Sequence, residues 1–187
     1  MNHYIFNKEQ YTPTNEYIFL QSDPSVASLK YGKPGMKIKT NGCGMVAIYN
    51  VMRSFGRSEE LPDIIRDAEA LHMPWLFGFF GTKPRSLGRY FSKKEISFTR
   101  TDDCAEFKDS LKKCRAAIIC TWCSKRRDGI HFFTIINDSG KLKALNRWSN
   151  VDHATDFSPA NIRPDRFITG YLFGVMDIKP DYFSAKS

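Results

Sequence analysis

Three short segments hold the residue types that nucleophilic chemistry needs. The first runs Thr40, Asn41, Gly42, Cys43, Gly44, Met45. It puts a cysteine at the first position of an apolar helix, directly after a tight turn. Unsatisfied N–H groups and the positive end of a helix dipole there favour thiolate over thiol. The flanking Gly42 and Gly44 would let a substrate backbone approach and would leave the Cys43 N–H for an oxyanion. The second segment runs from Asp128 through Gly129, Ile130 and His131 to Ile136, where His131 opens an apolar strand at the rim of a sheet. In the third, Asn146, Arg147 and Trp148 follow on the neighbouring strand of the same hairpin. An Asn146 side-chain oxygen accepting from His131 Nδ1–H would fix the tautomer that turns Nε2 toward the thiol, with Trp148 covering the bond. Each residue also has a plainer reading: Cys43 as a small buried hydrophobe, His131 as a hydrogen-bonded strand residue, Asn146 as a turn former, Trp148 as core. Together, the three fall in the order that one Cys–His–Asn mechanism requires.

Competing constellations are weaker. Cys120 and Cys123 form a CxxC pair, but a zinc knuckle needs a second close pair, and Cys104 and Cys114 are widely spaced on a predicted helix. A redox CxxC should open a helix, whereas this one ends a strand. No metal and no cofactor is therefore expected. His3, His72 and His153 lie near a terminus, at a helix end and in a polar loop. Trp75 to Gly81 reads as an aromatic, glycine-punctuated loop, either core packing or the lining of a hydrophobic subsite.

The elements that must position these groups follow from periodicity and turn signals. Residues 1–36 read as an irregular extension with short extended pieces at Tyr4–Phe6 and Tyr17–Leu20. A helix is predicted from Cys43 to Phe55, stopped by Gly56 and apolar around too much of its circumference to lie at a surface. A second begins at Pro62, with Ile64, Ile65, Ala68 and Leu71 on one face. A third covers Pro84–Lys93 with Thr82 as its cap, and a fourth covers Ala105–Lys113, capped by Asp102 or Asp103. Strands are predicted at Ile96–Arg100, Ala116–Trp122, Ile130–Ile136, Lys141–Leu145 and Phe167–Val175, with a turn at Asp138–Gly140. Helices first and antiparallel strands afterwards imply an α+β fold. The expected domain is single over 1–187: extension 1–36, helical half 37–95, β-rich half 96–176 and tail 177–187.

Composition bounds the rest. A chain of 187 residues buries roughly 70% of its unfolded surface, enough for a core without staples. Hydrophobic residues at 42% and charged at 26% exclude intrinsic disorder, and no apolar run approaches the ~20 residues of a membrane span. The net charge of +8 invites acidic partners. The basic residues are dispersed, with local density only at Lys112–Arg115 and Lys125–Arg127, so a solvated basic face is the reading taken over a nucleic-acid interface. Five cysteines, an odd number, with no secretory leader visible suit a reducing compartment, and the cytoplasm is the expected location.

The set Gly42-Cys43-Gly44, then His131 opening an apolar strand, then Asn146-x-Trp148 resembles the papain-like cysteine peptidase superfamily. Within it, the set is most similar to the small bacterial branch akin to the peptidase domains that trim bacteriocin leaders. The resemblance spans residues 37–175 in order of elements, though its motifs amount to about a dozen residues. It implies a papain-like fold, with a buried central helix packed on a C-terminal antiparallel sheet, and thiol-dependent hydrolysis of a peptide or protein by Cys43, His131 and Asn146. Met45 stands where the branch usually has Pro, and Ile130 where it has a small residue. Its oxyanion glutamine is missing: Lys37 holds that position, and Asn41 is the only nearby amide. A binding module with an inactive site, or a thiol acyltransferase using the same triad, would fit the same residues.

Overall fold

The computed structural model describes residues 3–123 and 129–175. The basic spot at 125–127 and the expected tail at 177–187 lie outside the described residues. The apolar sequence from Met45 to Met52 becomes the buried helix of the molecule. In chain order the helices are α1 (His3–Gln10), α2 (Ile38–Asn41), α3 (Cys43–Ser54), α4 (Leu61–Ala70), α5 (Leu87–Lys93) and α6 (Cys104–Ser110). All but one residue of α3 are buried, and Gly56 at φ +71° turns the chain away behind it. Pro62 sits in the first turn of α4, whose Ile64, Ile65 and Ala68 pack inward. Asp103 caps α6 by accepting from the Ala105 and Glu106 N–H groups.

The strands are β1 (Lys30–Tyr31), β2 (Met36–Lys37), β3 (Phe98–Thr101), β4 (Ala116–Trp122), β5 (Ile130–Asp138), β6 (Lys141–Leu145), β7 (Thr155–Asp156) and β8 (Phe167–Phe173). Six of them form one sheet in the order β3-β8-β4-β5-β6-β7, antiparallel at every described pairing. The β5–β6 hairpin turns through Ser139 and Gly140, both at positive φ. Helices and an antiparallel sheet therefore occur together, with α6 falling among the strands. One core lies between α3, α4 and one sheet face, through Ile118, Cys120, Phe132 and Tyr171. A second lies on the opposite face, where Phe107 and Leu111 meet Ile119, Phe133, Ile135 and Phe157.

Some expectations do not hold. Tyr4–Phe6 is helical, not extended, because α1 docks on α4: Lys8 Nζ donates to Glu60 and Asp63, and Tyr4 hydroxyl donates to Asp63. Asn7 is fully buried and bonds the Lys30 N–H and carbonyl as a strand neighbour would. The extension 1–36 is thus partly regular. Tyr17–Leu20 forms no strand; its Ile18 backbone is held instead by the buried Asn50 side chain. Helix α5 starts at Leu87, later than predicted, and Thr82 does not cap it but meets the Tyr31 hydroxyl at 3.1 Å.

Candidate functional site

Helix α3 starts at Cys43 because the chain turns sharply there. Gly42 N–H closes α2 on the Ile38 carbonyl at 2.9 Å, and the Met45 and Val46 N–H groups bond the Gly42 carbonyl. A Cβ at Gly42 would lie 2.5 Å from Ile38 Cδ1, and one at Gly44 would lie 2.6 Å from Thr82 Oγ1. Both glycines are thus required by close internal packing, and the expectation that they open a substrate cleft is corrected to that extent. Cys43 is 6% exposed, its sulfur beside the Phe132 and Gly44 N–H groups. Burial pushes the thiol up to about 11, against those N–H groups, which favour the thiolate. Desolvation outweighs the helix-start effect, so in the free protein the group is a neutral thiol at pH 7.

The Cys43 thiol borders a cavity of about 460 Å³, with Asn41, Trp75, Phe79, Phe80 and Ile130 among its walls. Asn41 Nδ2 donates to the Gly78 and Phe79 carbonyls at 2.8 and 3.0 Å. Its amide therefore holds the aromatic loop in place and is not turned to an oxyanion, correcting the role expected of it. Lys37 is exposed on β2. The loop itself is not core. Leu76 and Phe77 take left-handed backbone conformations; Leu76, Phe77, Phe79 and Phe80 are all exposed, and Leu76, Phe79 and Phe80 border the Cys43 cavity.

His131 is positioned by the register of β5. It pairs with Thr121, while Ile130 pairs with Trp122. Side chains alternate along a strand. Phe132 packs on the α3 side and Thr134 Oγ1 donates to the Ala47 carbonyl, whereas Phe133 and Ile135 belong to the opposite core. His131 shares the Phe133 face, with ring centroids 6.2 Å apart and planes 23° from parallel. It thus leaves the strand away from the face that carries α3, and it borders a second cavity, of about 500 Å³. Trp122 borders both cavities. The strand β5 also outruns its neighbour, since pairing with β6 begins only at Thr134↔Leu145. At that open edge the Cys43 sulfur reaches the amide of Phe132, the residue directly after His131.

Asn146 does bind His131, but through a different atom. The His131 Nε2 lies 2.6 Å from the Asn146 backbone carbonyl. A carbonyl only accepts, so Nε2 carries the proton and Nδ1 is left as the basic nitrogen, the reverse of the expected tautomer. The Asn146 side chain turns elsewhere, its Oδ1 accepting from Gln21 N–H at 3.0 Å. Positive φ at Asn146 (+56°) causes this, because the chain leaves β6 there and swings the carbonyl toward the ring. Burial lowers the His131 pKa and so favours the neutral ring, partly offset by the Asn146 carbonyl. Trp148 is 51% exposed and lies over the Arg147 guanidinium, so it does not cover the His131 bond. Among the described residues, no hydrogen bond joins Cys43 Sγ to His131. The site contains one residue that sequence reasoning passed over, Gln21, whose Nε2 donates to the Lys39 carbonyl at 2.9 Å. No local signal marks it, because its place depends on long-range packing.

Cys120 is buried in β4 and Cys123 is half-buried just past the strand end, as expected of a pair that closes a strand. Among the described residues, no group of three or more His, Cys, Asp or Glu could hold a metal ion, and no helix is long and apolar enough to cross a membrane.

No protein-family model matches the chain, and no curated protein matches it. Among solved structures, it is similar to the peptidase domain of Streptococcus ComA, a bi-functional ABC transporter involved in a quorum-sensing pathway. The TM-score is 0.53 at 13% identity, and the match covers 73% of this chain and 93% of that one. The likeness is one of fold alone, mixed helix and antiparallel sheet.

Proposed function

We propose that the chain is a cysteine peptidase of papain-like fold that hydrolyses a peptide or related amide through Cys43. The observation that carries this reading is the placement of the Cys43 sulfur. It sits at the head of the buried α3, open to a cavity, against the amide that follows His131. The bond from Nε2–H to the Asn146 carbonyl leaves Nδ1 as the base. This chemistry requires the imidazole, which borders the cavity opposite α3, to reach the thiol round the open edge of β5. Nδ1 then takes the thiol proton, the thiolate attacks the carbonyl carbon, and the imidazolium protonates the departing amine. Water then releases the acyl group from sulfur. With the Asn41 amide committed to the aromatic loop, the Cys43 N–H is the remaining oxyanion donor. The exposed aromatic loop beside the cavity suits apolar residues of the peptide.

A second reading is a peptide-binding module without chemistry. It is favoured by Ile130, which borders the Cys43 cavity, and by a thiol at about 11 with no imidazole bonded to it. One experiment separates the two. The rate of Cys43 alkylation by a peptidyl electrophile is followed from pH 5 to 10, in the native protein and in His131→Ala. The peptidase predicts a reactive plateau at neutral pH that His131→Ala removes, lowering the rate about 100-fold. A rate that climbs only with a titration near 11, identical in both proteins, would leave the binding module.

A further inference from the structure

The cavity over His131, on the sheet face opposite α3, is built differently from the one at Cys43. Ile119, Phe133, Phe157 and Ile162 give it an apolar floor, and among the described residues none that borders it is acidic. Arg147 projects along it, half-buried, with its guanidinium 4.6 Å from the Trp148 ring centroid and 5.0 Å from that of Phe157. Among the described residues Arg147 has no carboxylate partner and no hydrogen-bond acceptor. Burial alone depresses its basicity. Arg163, by contrast, is satisfied by Asp165. A guanidinium sandwiched by rings keeps its in-plane N–H fork free, and that fork matches a carboxylate.

Two further groups point to the ligand. Asn146, 4% exposed, borders the cavity with Nδ2 lacking an acceptor, and Gln21, also on its border, has Oε1 lacking a donor. Buried amide atoms left unpaired are uncommon and costly. An inorganic anion with no proton, such as sulfate or chloride, would serve the donor and leave the Gln21 acceptor unmet. A peptide serves both, since it supplies an N–H together with a carboxylate.

We propose that this cavity is a recognition site for a carboxylate-bearing peptide segment: Arg147 takes the carboxylate, Asn146 Nδ2 donates to the ligand, and Gln21 Oε1 accepts a peptide N–H. The peptide as ligand rests on the function proposed above, but binding here requires no chemistry at Cys43. The test therefore uses the 187-residue chain carrying Cys43→Ala, titrated by calorimetry with N-terminally blocked hexapeptides of one apolar sequence. One carries a free terminal carboxylate, one a terminal amide, one an amide with an internal Glu, and one the same with Gln. At least one carboxylate peptide should bind about tenfold or more tightly than its neutral twin. Which twin pair differs tells a chain terminus from an acidic side chain. Arg147→Met should erase the difference between charged and neutral twins. Should Arg147→Met not fold, the preference in the Cys43→Ala protein must shrink as salt is raised. Equal binding of charged and neutral peptides, a preference that survives Arg147→Met or is indifferent to salt, or preferential binding of a single-stranded RNA oligonucleotide overturns the proposal. Failure of the peptidase reading shows separately, in Cys43 alkylation.

Discussion

Asn146 carries two jobs on two different atoms. Its carbonyl accepts from His131, and its Oδ1 accepts from the Gln21 N–H. Asn146→Ala should therefore leave the imidazole oriented, since the carbonyl belongs to any residue. It should cost about 1 kcal/mol for the lost bond and about 1 kcal/mol more for a left-handed alanine. Asn146→Gly, free of the backbone term, should lose only the first. Urea unfolding and Cys43 alkylation measured side by side decide the matter. A large drop in alkylation with little change in stability would restore the side-chain role read from the sequence. That reading found the right neighbour and the wrong atom. Residue types and a hairpin spacing bring Asn146 beside His131, but the left-handed turn that chooses between side chain and carbonyl leaves no composition signal beyond the tolerance of Asn for it.

At the scale of elements, β5 shows why the site was only half legible. Its existence and span are plain from an apolar run rich in Phe and Ile. Its phase is not. Phe132 and Phe133 enter opposite cores, so both faces of the strand are apolar and alternation marks neither. Whether His131 faces α3 or turns away from it is a shift of one residue, and such a shift exchanges the faces. Helix α1 was missed for a related reason. It meets its neighbours through Asn7, Tyr4 and Lys8, not through an apolar stripe, and Tyr4–Phe6 imitates a strand. The start of α3, by contrast, was legible, because the Asn41-Gly42 turn signal runs directly into an apolar stretch. Its packing gives a direct prediction. Gly44→Ala would press a methyl against Thr82, whose Oγ1 and Cβ would lie 2.6 and 2.9 Å away. The expected loss is about 1–3 kcal/mol, read as a lower Tm. An unchanged Tm would mean that α3 and the Thr82 segment can part without penalty.

For the molecule as a whole, buried titratable groups bound the pH range of stability from both sides. Burial pushes the Cys43 and Cys114 thiols up to about 11, so the native state holds those protons longer than the unfolded chain. Their contribution is complete below the unfolded thiol value of about 8.5 and is lost as pH climbs toward 11. His131 runs the other way. Burial lowers it, so the unfolded chain binds its proton first, and stability falls once pH drops below about 6.5. At Asp67, burial works to raise the carboxyl, yet Lys94 and Lys93 hold it below its usual value. Its stabilisation is present above about 3.9 and disappears as pH falls further through the lowered native value. The Tm should therefore be highest between about pH 6.5 and 8.5, and Cys43→Ala should soften the alkaline side. A Tm still rising past pH 9.5 contradicts this account.

Trp122, placed between two chambers with different linings, has an evolutionary corollary. Selection acting on the aromatic chamber and selection acting on the cationic one must negotiate over a single indole. A lineage that trims it to a small side chain alters the walls of both compartments at once. Drift at this position should accordingly be rarer than at either lining alone.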